Sequence, residues 1–357
     1  MARMIANWTW AAPLLGWLLL ALAGAVSPWL VGFALIGSVL AAVHHAEVVA
    51  HRVGEPFGTL LLAVAVTVIE VGLILTLMSA AGSDAATLAR DTVFAAVMII
   101  LGGLLGGCLL VGGLTHGEQV FRQTGVSASL ACVCALTVLT LVLPNFTLSA
   151  PGPVYSPAQL GFVAVVSFLL YLTFVAVQTV RHRDYFLPRD GLAAIADEDA
   201  HAAPPTPRQA LLAGALLLAC LGAVVLLAKA LAPTIEAGVA ALGAPRAAVG
   251  VVIAGLVLLP ESVAAIRAAR ANRLQTSLNL ALGSALATIG LTIPAVAILS
   301  LVVDLPIALG LDGKGVVLLF LTLLVATSSL ATGRTTILQG AVHLTIFAVY
   351  LFTTVVP

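Results

Sequence analysis

The chain is 357 residues long, 61% hydrophobic and 8% charged, with a mean hydropathy of +1.17. Soluble domains carry about 25% charged residues, so this composition excludes a soluble globular protein and indicates a polytopic membrane protein. Fifteen basic and fifteen acidic residues cancel, and with so few charges present the net charge is uninformative; no nucleic-acid partner is expected.

A membrane-spanning helix needs about 20 apolar residues. By that measure the sequence predicts eleven, at 10–26, 28–43, 57–80, 93–114, 127–144, 158–180, 209–231, 248–270, 277–300, 314–332 and 336–355. The first resembles a signal peptide, with Arg3, an apolar core and a small-residue stretch at Ala23-Gly24-Ala25. It reads better as an extra N-terminal anchor, because it leaves two equal sets of five helices. The expected fold class is an all-α polytopic membrane protein with one N-terminal helix (1–27) and two inverted five-helix repeats (28–180 and 209–357). Residues 181–208 form a polar, proline-rich linker between them. Its Asp197-Glu198-Asp199 run, with His201 beside it, is either a solvated linker face or a cation-gathering segment.

With the N-terminus in the cytoplasm, one side holds Arg3, Arg52, Arg122, Arg181, Arg183, Arg189, Arg208, Arg267, Arg270, Arg273 and Arg334. The other holds Arg90, Lys229, Arg246 and Lys314. The positive-inside rule favours this orientation, in a bacterial inner membrane.

Two spans carry a single charge near the middle. Glu70 is the fourteenth residue of 57–80, and Glu261 the fourteenth of 248–270. A lone carboxylate at membrane depth costs roughly 2.5–3.5 kcal/mol on insertion scales, and such residues are functional by default. Each falls in the second helix of its half. Five helices is an odd number, so the halves enter the membrane in opposite senses, as in secondary transporters with a midplane site. The expectation is that the two carboxylates meet there.

The neighbours fit a cation site. Pro260 precedes Glu261 and has no N–H, which leaves a carbonyl one turn earlier, near Leu256 or Val257, without its donor. Thr67 lies three residues before Glu70 on the same helical face, where its hydroxyl either ligates or bonds back to the helix. Gly102-Gly103 and Gly106-Gly107 in the fourth span, and Gly283-Ser284, Gly290, Asn279, Thr288 and Thr292 in the ninth, suit close helix packing or a loosened backbone. Carboxylate and carbonyl oxygens suit the hard cations Ca²⁺, Na⁺ and K⁺. No His/Cys cluster suggests a softer metal, and Cys108, Cys132, Cys134 and Cys220 read as buried apolar residues. Protons and cations compete for the same carboxylate oxygens, and that competition is the chemistry of antiport. Glu55 in Gly54-Glu55-Pro56 is either a helix-end carboxylate or a gate ligand. His44, His45 and His51 read as interfacial polar residues, and His343 as a packed, hydrogen-bonded one.

Four segments carry a family resemblance: HAEVVAHRVGEPFGTLLL leading to Glu70, RDTVFAAVMIILGG, LPESVAAIRAARANRLQTSLNLALGSALATIGLTIP and ATGRTTILQGAVHL. Together they resemble the cation/proton exchanger branch of the Ca²⁺/cation antiporter superfamily, most closely the bacterial ChaA-type antiporters. The resemblance implies a secondary transporter rather than an enzyme, with no cofactor, that moves Ca²⁺, Na⁺ or K⁺ against protons. It implies that Glu70 and Glu261 bind the cation, with Ser284 the family's glycine-serine position. Thr67, Ser284 and Asn279 complete the expected cation/proton set. Thr67 and Leu258 replace the family's asparagines, and Gly103 and Gly107 stand where polar residues occur. Fewer side-chain oxygens shift the expectation from high-affinity Ca²⁺ toward Na⁺ or K⁺. The rival readings are an intramembrane hydrolase using Ser284 and His343, and a cation channel without proton coupling.

Overall fold

The computed structural model describes residues 2–22, 26–53, 57–81, 86–187, 205–245 and 247–356. Gly54-Glu55-Pro56, the 197–199 acidic run, His201, Arg189 and Arg246 lie outside the described residues. Among those described, eleven helical rods follow one another. They are α1 (Ala2–Ala21), α2 (Pro28–Val53), α3 (Phe57–Ala81), α4 (Leu88–His116), α5 (Gln123–Phe146), α6 (Pro157–Arg181), α7 (Pro207–Ala241), a broken α8 (Ala247–Val257 and Leu259–Arg270), α9 (Leu274–Val303), α10 (Gly313–Leu330) and α11 (Ile337–Val355). Eight are long and apolar enough to cross a membrane, and the two pieces of α8 make a ninth. In α1 and α3 the apolar stretches are Trp8–Ala21 and Thr67–Thr76. Exposed Leu14, Phe33, Phe162, Leu211, Val317 and Phe352 give the rods an apolar outer surface, as lipid requires.

Local chemistry sets several helix starts. Ser156 before Pro157 and Thr206 before Pro207 each form a capping box with a glutamine three residues on, Gln159 and Gln209. Proline suits the first helical position because its missing N–H would have no partner there. Asp312 Oδ1 accepts from the Gly315 amide at 2.7 Å and starts α10.

The helices pack as two compact units, Met1–Ala85 with Ala203–Val249, and Ala86–Ala202 with Gly250–Pro357. In the first, α2 lies along α7, and α1 and α3 pack on both. Pro13 has no N–H for the Thr9 carbonyl, so buried His45 Nε2 donates to it instead at 3.0 Å and ties α2 to α1. Trp17 Nε1 donates to the Ala219 carbonyl at 3.0 Å and ties α1 to α7.

In the second unit α9 is the central rod, packed against α4, α5, α6 and the second piece of α8. The loops gather at two opposite ends. At one, Gln119–Val120 pairs antiparallel with Arg334–Thr335, His116 Nε2 donates to the Arg270 carbonyl (2.8 Å), and Gln275 Oε1 accepts from the Arg122 amide (2.7 Å). At the other, Arg90 Nη1 donates to the Gly310 carbonyl (3.1 Å) and Asn145 Nδ2 to that of Leu311 (2.8 Å). Successive helices of this unit therefore alternate in direction. The first end carries Arg122, Arg181, Arg183, Arg267, Arg270, Arg273 and Arg334; the described bases of the other are Arg90 and Lys314.

Candidate cation site

In the second unit the site is built on the break in α8. The two pieces meet at Leu258 and diverge by 58°. The cause is local: Pro260 falls in the first turn of the second piece and has no N–H to give the carbonyl of Leu256. The break sets a helix C-terminus, with its carbonyls, against a helix N-terminus. Glu261 stands in the first turn after the break, where the helix dipole favours a negative charge. Broken membrane helices offer cations their freed carbonyls in the same way.

The α9 hairpin partner holds Glu261 in place. Ser284 Oγ donates to Glu261 Oε2, and one stretch along, Ser277 Oγ donates to the Ala265 carbonyl at 2.6 Å. Ser284 is buried, and Glu261 is intermediate in exposure as a residue. Two side-chain oxygen groups, Glu261 and Ser284, thus adjoin a loosened backbone.

Asn279, five residues before Ser284 on α9, is occupied differently. Its Nδ2 donates to the Phe186 carbonyl at 2.6 Å and its Oδ1 accepts from Gln275 Nε2 at 3.0 Å. One end of the amide joins α9 to the segment after α6 and the other bonds back along α9, which is a structural use.

In the first unit Glu70 and Thr67 are both buried, one turn apart on α3, while Val64 and Val68 of the same helix are exposed. A Cβ at Gly72 would stand 2.7 Å from Val225 Cγ2, so α3 and α7 approach closely at Gly72.

The α4 glycines have a role that spacing alone does not specify. A Cβ at Gly102 would meet Phe347 Cβ at 3.0 Å, and one at Gly106 would meet His343 Cβ at 2.8 Å, so these two admit α11; Gly107 faces open space. Between Ile99 and Leu104 the helix is π-wound. Gly290 of α9 serves similarly, with Tyr171 Cβ 2.6 Å from where its own would be. Ser284 and His343 have separate partners, the Glu261 carboxylate and the Leu101 carbonyl, which is not a nucleophile–base pair.

The sodium/calcium exchanger protein family model matches residues 25–180 and 212–356, that is α2–α6 and then α7–α11. A protein of Sinorhizobium fredii, y4hA, named as an ionic transporter, is 49% identical over 98% of this chain and 96% of its own length. The sodium-potassium/proton antiporter ChaA of Escherichia coli is 35% identical over 89% of this chain and 86% of its own. Among solved structures, the H⁺/Ca²⁺ exchanger CAX superposes with a TM-score of 0.72 at 17% identity, covering 96% of this chain and 87% of that one. YfkE gives 0.71 at 16%, covering 98% and 99%. At such identities these two establish the shared fold. With both halves of the chain matched and relatives this close, the protein belongs to the sodium/calcium exchanger family of membrane cation exchangers.

Proposed function

We propose that this exchanger is a cation/proton antiporter that exports Na⁺, K⁺ or Ca²⁺ across a bacterial inner membrane in return for protons. The observation that carries the reading is Glu261 at the break of α8, bonded to Ser284. A carboxylate in that position holds a cation or a proton, and not both. Glu70, buried in α3 with Thr67 one turn away, is the corresponding group of the other half, and both glutamates are required for turnover. The named ions of the Escherichia coli relative support Na⁺ and K⁺ with protons, and the scarcity of side-chain oxygens at Thr67, Leu258, Gly103 and Gly107 favours monovalent ions. The arginine-rich end of the second unit faces the cytoplasm by the positive-inside rule, which puts the N-terminus inside.

The test is cation-driven proton movement in everted vesicles, read with a pH-sensitive dye on addition of Na⁺, K⁺ or Ca²⁺. Dissipation of the proton gradient by at least one of these ions is expected. It should grow from pH 7 to pH 9, because fewer protons then compete for the carboxylates. Cation flux that leaves the proton gradient untouched would identify a channel and overturn the proposal.

Ser284→Ala removes the donor to Glu261. Hydrogen bonds to charged groups are worth about 1.5–3 kcal/mol. The expected result is an apparent cation affinity about tenfold weaker or worse, with exchange still detectable at saturating cation. A dose–response series in the same vesicles measures it.

A further inference from the structure

His343, which the cation site does not use, is fully buried in α11 against the π-turn of α4. The π-turn explains its first bond. The Leu105 amide hydrogen goes to the carbonyls of Gly102 and Ile100 and skips that of Leu101. The freed Leu101 carbonyl is taken by His343 Nδ1 at 2.7 Å. A carbonyl only accepts, so Nδ1 carries the hydrogen and Nε2 carries a lone pair. Nε2 is buried and has no hydrogen-bond partner among the described residues. Buried polar groups are nearly always partnered, and an orphan calls for an explanation. A histidine whose Nδ1–H is fixed on a backbone carbonyl presents Nε2 to a proton or a metal.

We propose that Nε2 of His343 is a proton-binding site of the exchanger, additional to the glutamates. This rests on the antiport reading above. The proton adds to the lone pair, breaking no bond, when the cycle opens the bundle to water. The imidazolium then carries a hydrogen on both nitrogens, and its hold on the Leu101 carbonyl through Nδ1 becomes charge-assisted. The π-turn so gripped packs against α9 and the Glu261-bearing piece of α8, which links proton occupancy to the cation site. On the helices packed against α11, the titratable or charged side chains are Arg90, Asp91, Cys108 and His116 of α4 and Lys314 of α10, with Tyr350 on α11 itself. None of them is hydrogen-bonded or ion-paired to His343.

The direct test is nitrogen NMR of the full chain in nanodiscs with ¹⁵N-labelled histidine. His343→Asn identifies the resonance among the seven histidines, with His343→Gln as the second choice should the first fail to fold. As the pH falls from about 8 to about 5, Nε2 is expected to move from its unprotonated to its protonated position while Nδ1 stays protonated. A constant Nε2 shift over that range, or an unprotonated Nδ1, overturns the proposal. In vesicles, Asn retains a donor near the Leu101 carbonyl and has no titrating nitrogen. The ratio of exchange rates at pH 8 and pH 6 should differ from wild type at least about threefold. An unchanged ratio in a folded variant counts against the site. The NMR titration reads His343 whether or not the chain moves protons, so failure of the antiport reading remains separable.

Discussion

Glu261→Gln is expected to abolish exchange, lowering it at least about a hundredfold while leaving the fold intact. Glutamine keeps the shape of the side chain, and its carbonyl oxygen still accepts from Ser284 Oγ. It loses the negative charge that neutralises a cation at the break of α8, and the group that takes up a proton. Losing a charged ligand in a poorly solvated site costs about 3 kcal/mol or more, which is two decades in affinity. Proton-dye traces from everted vesicles, with expression checked by immunoblot, measure the outcome. Glu70→Gln should behave alike, because the proposal gives both glutamates the same role. Glu118→Gln is the control: its carboxylate is exposed at the loop end, 3.2 Å from Arg334, and such surface pairs are worth at most about 1 kcal/mol. Near-normal exchange by Glu261→Gln would show that the carboxylate serves only packing.

Gly340→Ala is expected to destabilise the protein by about 3 kcal/mol or more, through overpacking. A Cβ there would run into the Leu110 amide nitrogen, with Leu110 Cα at 2.8 Å and the Gly106 carbonyl oxygen at 2.9 Å. All three are backbone atoms, so no side-chain rotation gives relief, and α4 and α11 must separate. The thermal unfolding midpoint in detergent should fall by several degrees. Gly107→Ala, on the facing helix α4 with nothing within 4 Å of the added methyl, should be neutral or slightly stabilising. An equal loss in both variants would mean that the helix backbone, not the seam, sets the cost.

Hydropathy alone placed the rods in chain order, because a helix in lipid must present apolar side chains over about 20 residues whatever it packs against; among the described residues α1 and α3 carry shorter apolar stretches. The same scarcity of charge singled out Glu70 and Glu261, and Pro260 marked the place where α8 breaks. Position along one helix is a local property, and the sequence carries it. Partnership is not local. Ser284 meets Glu261 only because α9 folds back against the second piece of α8, whereas Asn279, equally polar and five residues earlier, turns to Phe186 and Gln275. His343 read as a packed histidine; packing satisfies one nitrogen and leaves the other bare, because a π-turn in a different helix frees the Leu101 carbonyl. Composition and periodicity determine which segments enter the membrane and which charges go with them. Which oxygens and nitrogens face each other depends on how helices distant in sequence cross, and close approach at Gly106 and Gly340 decides that only in the folded chain.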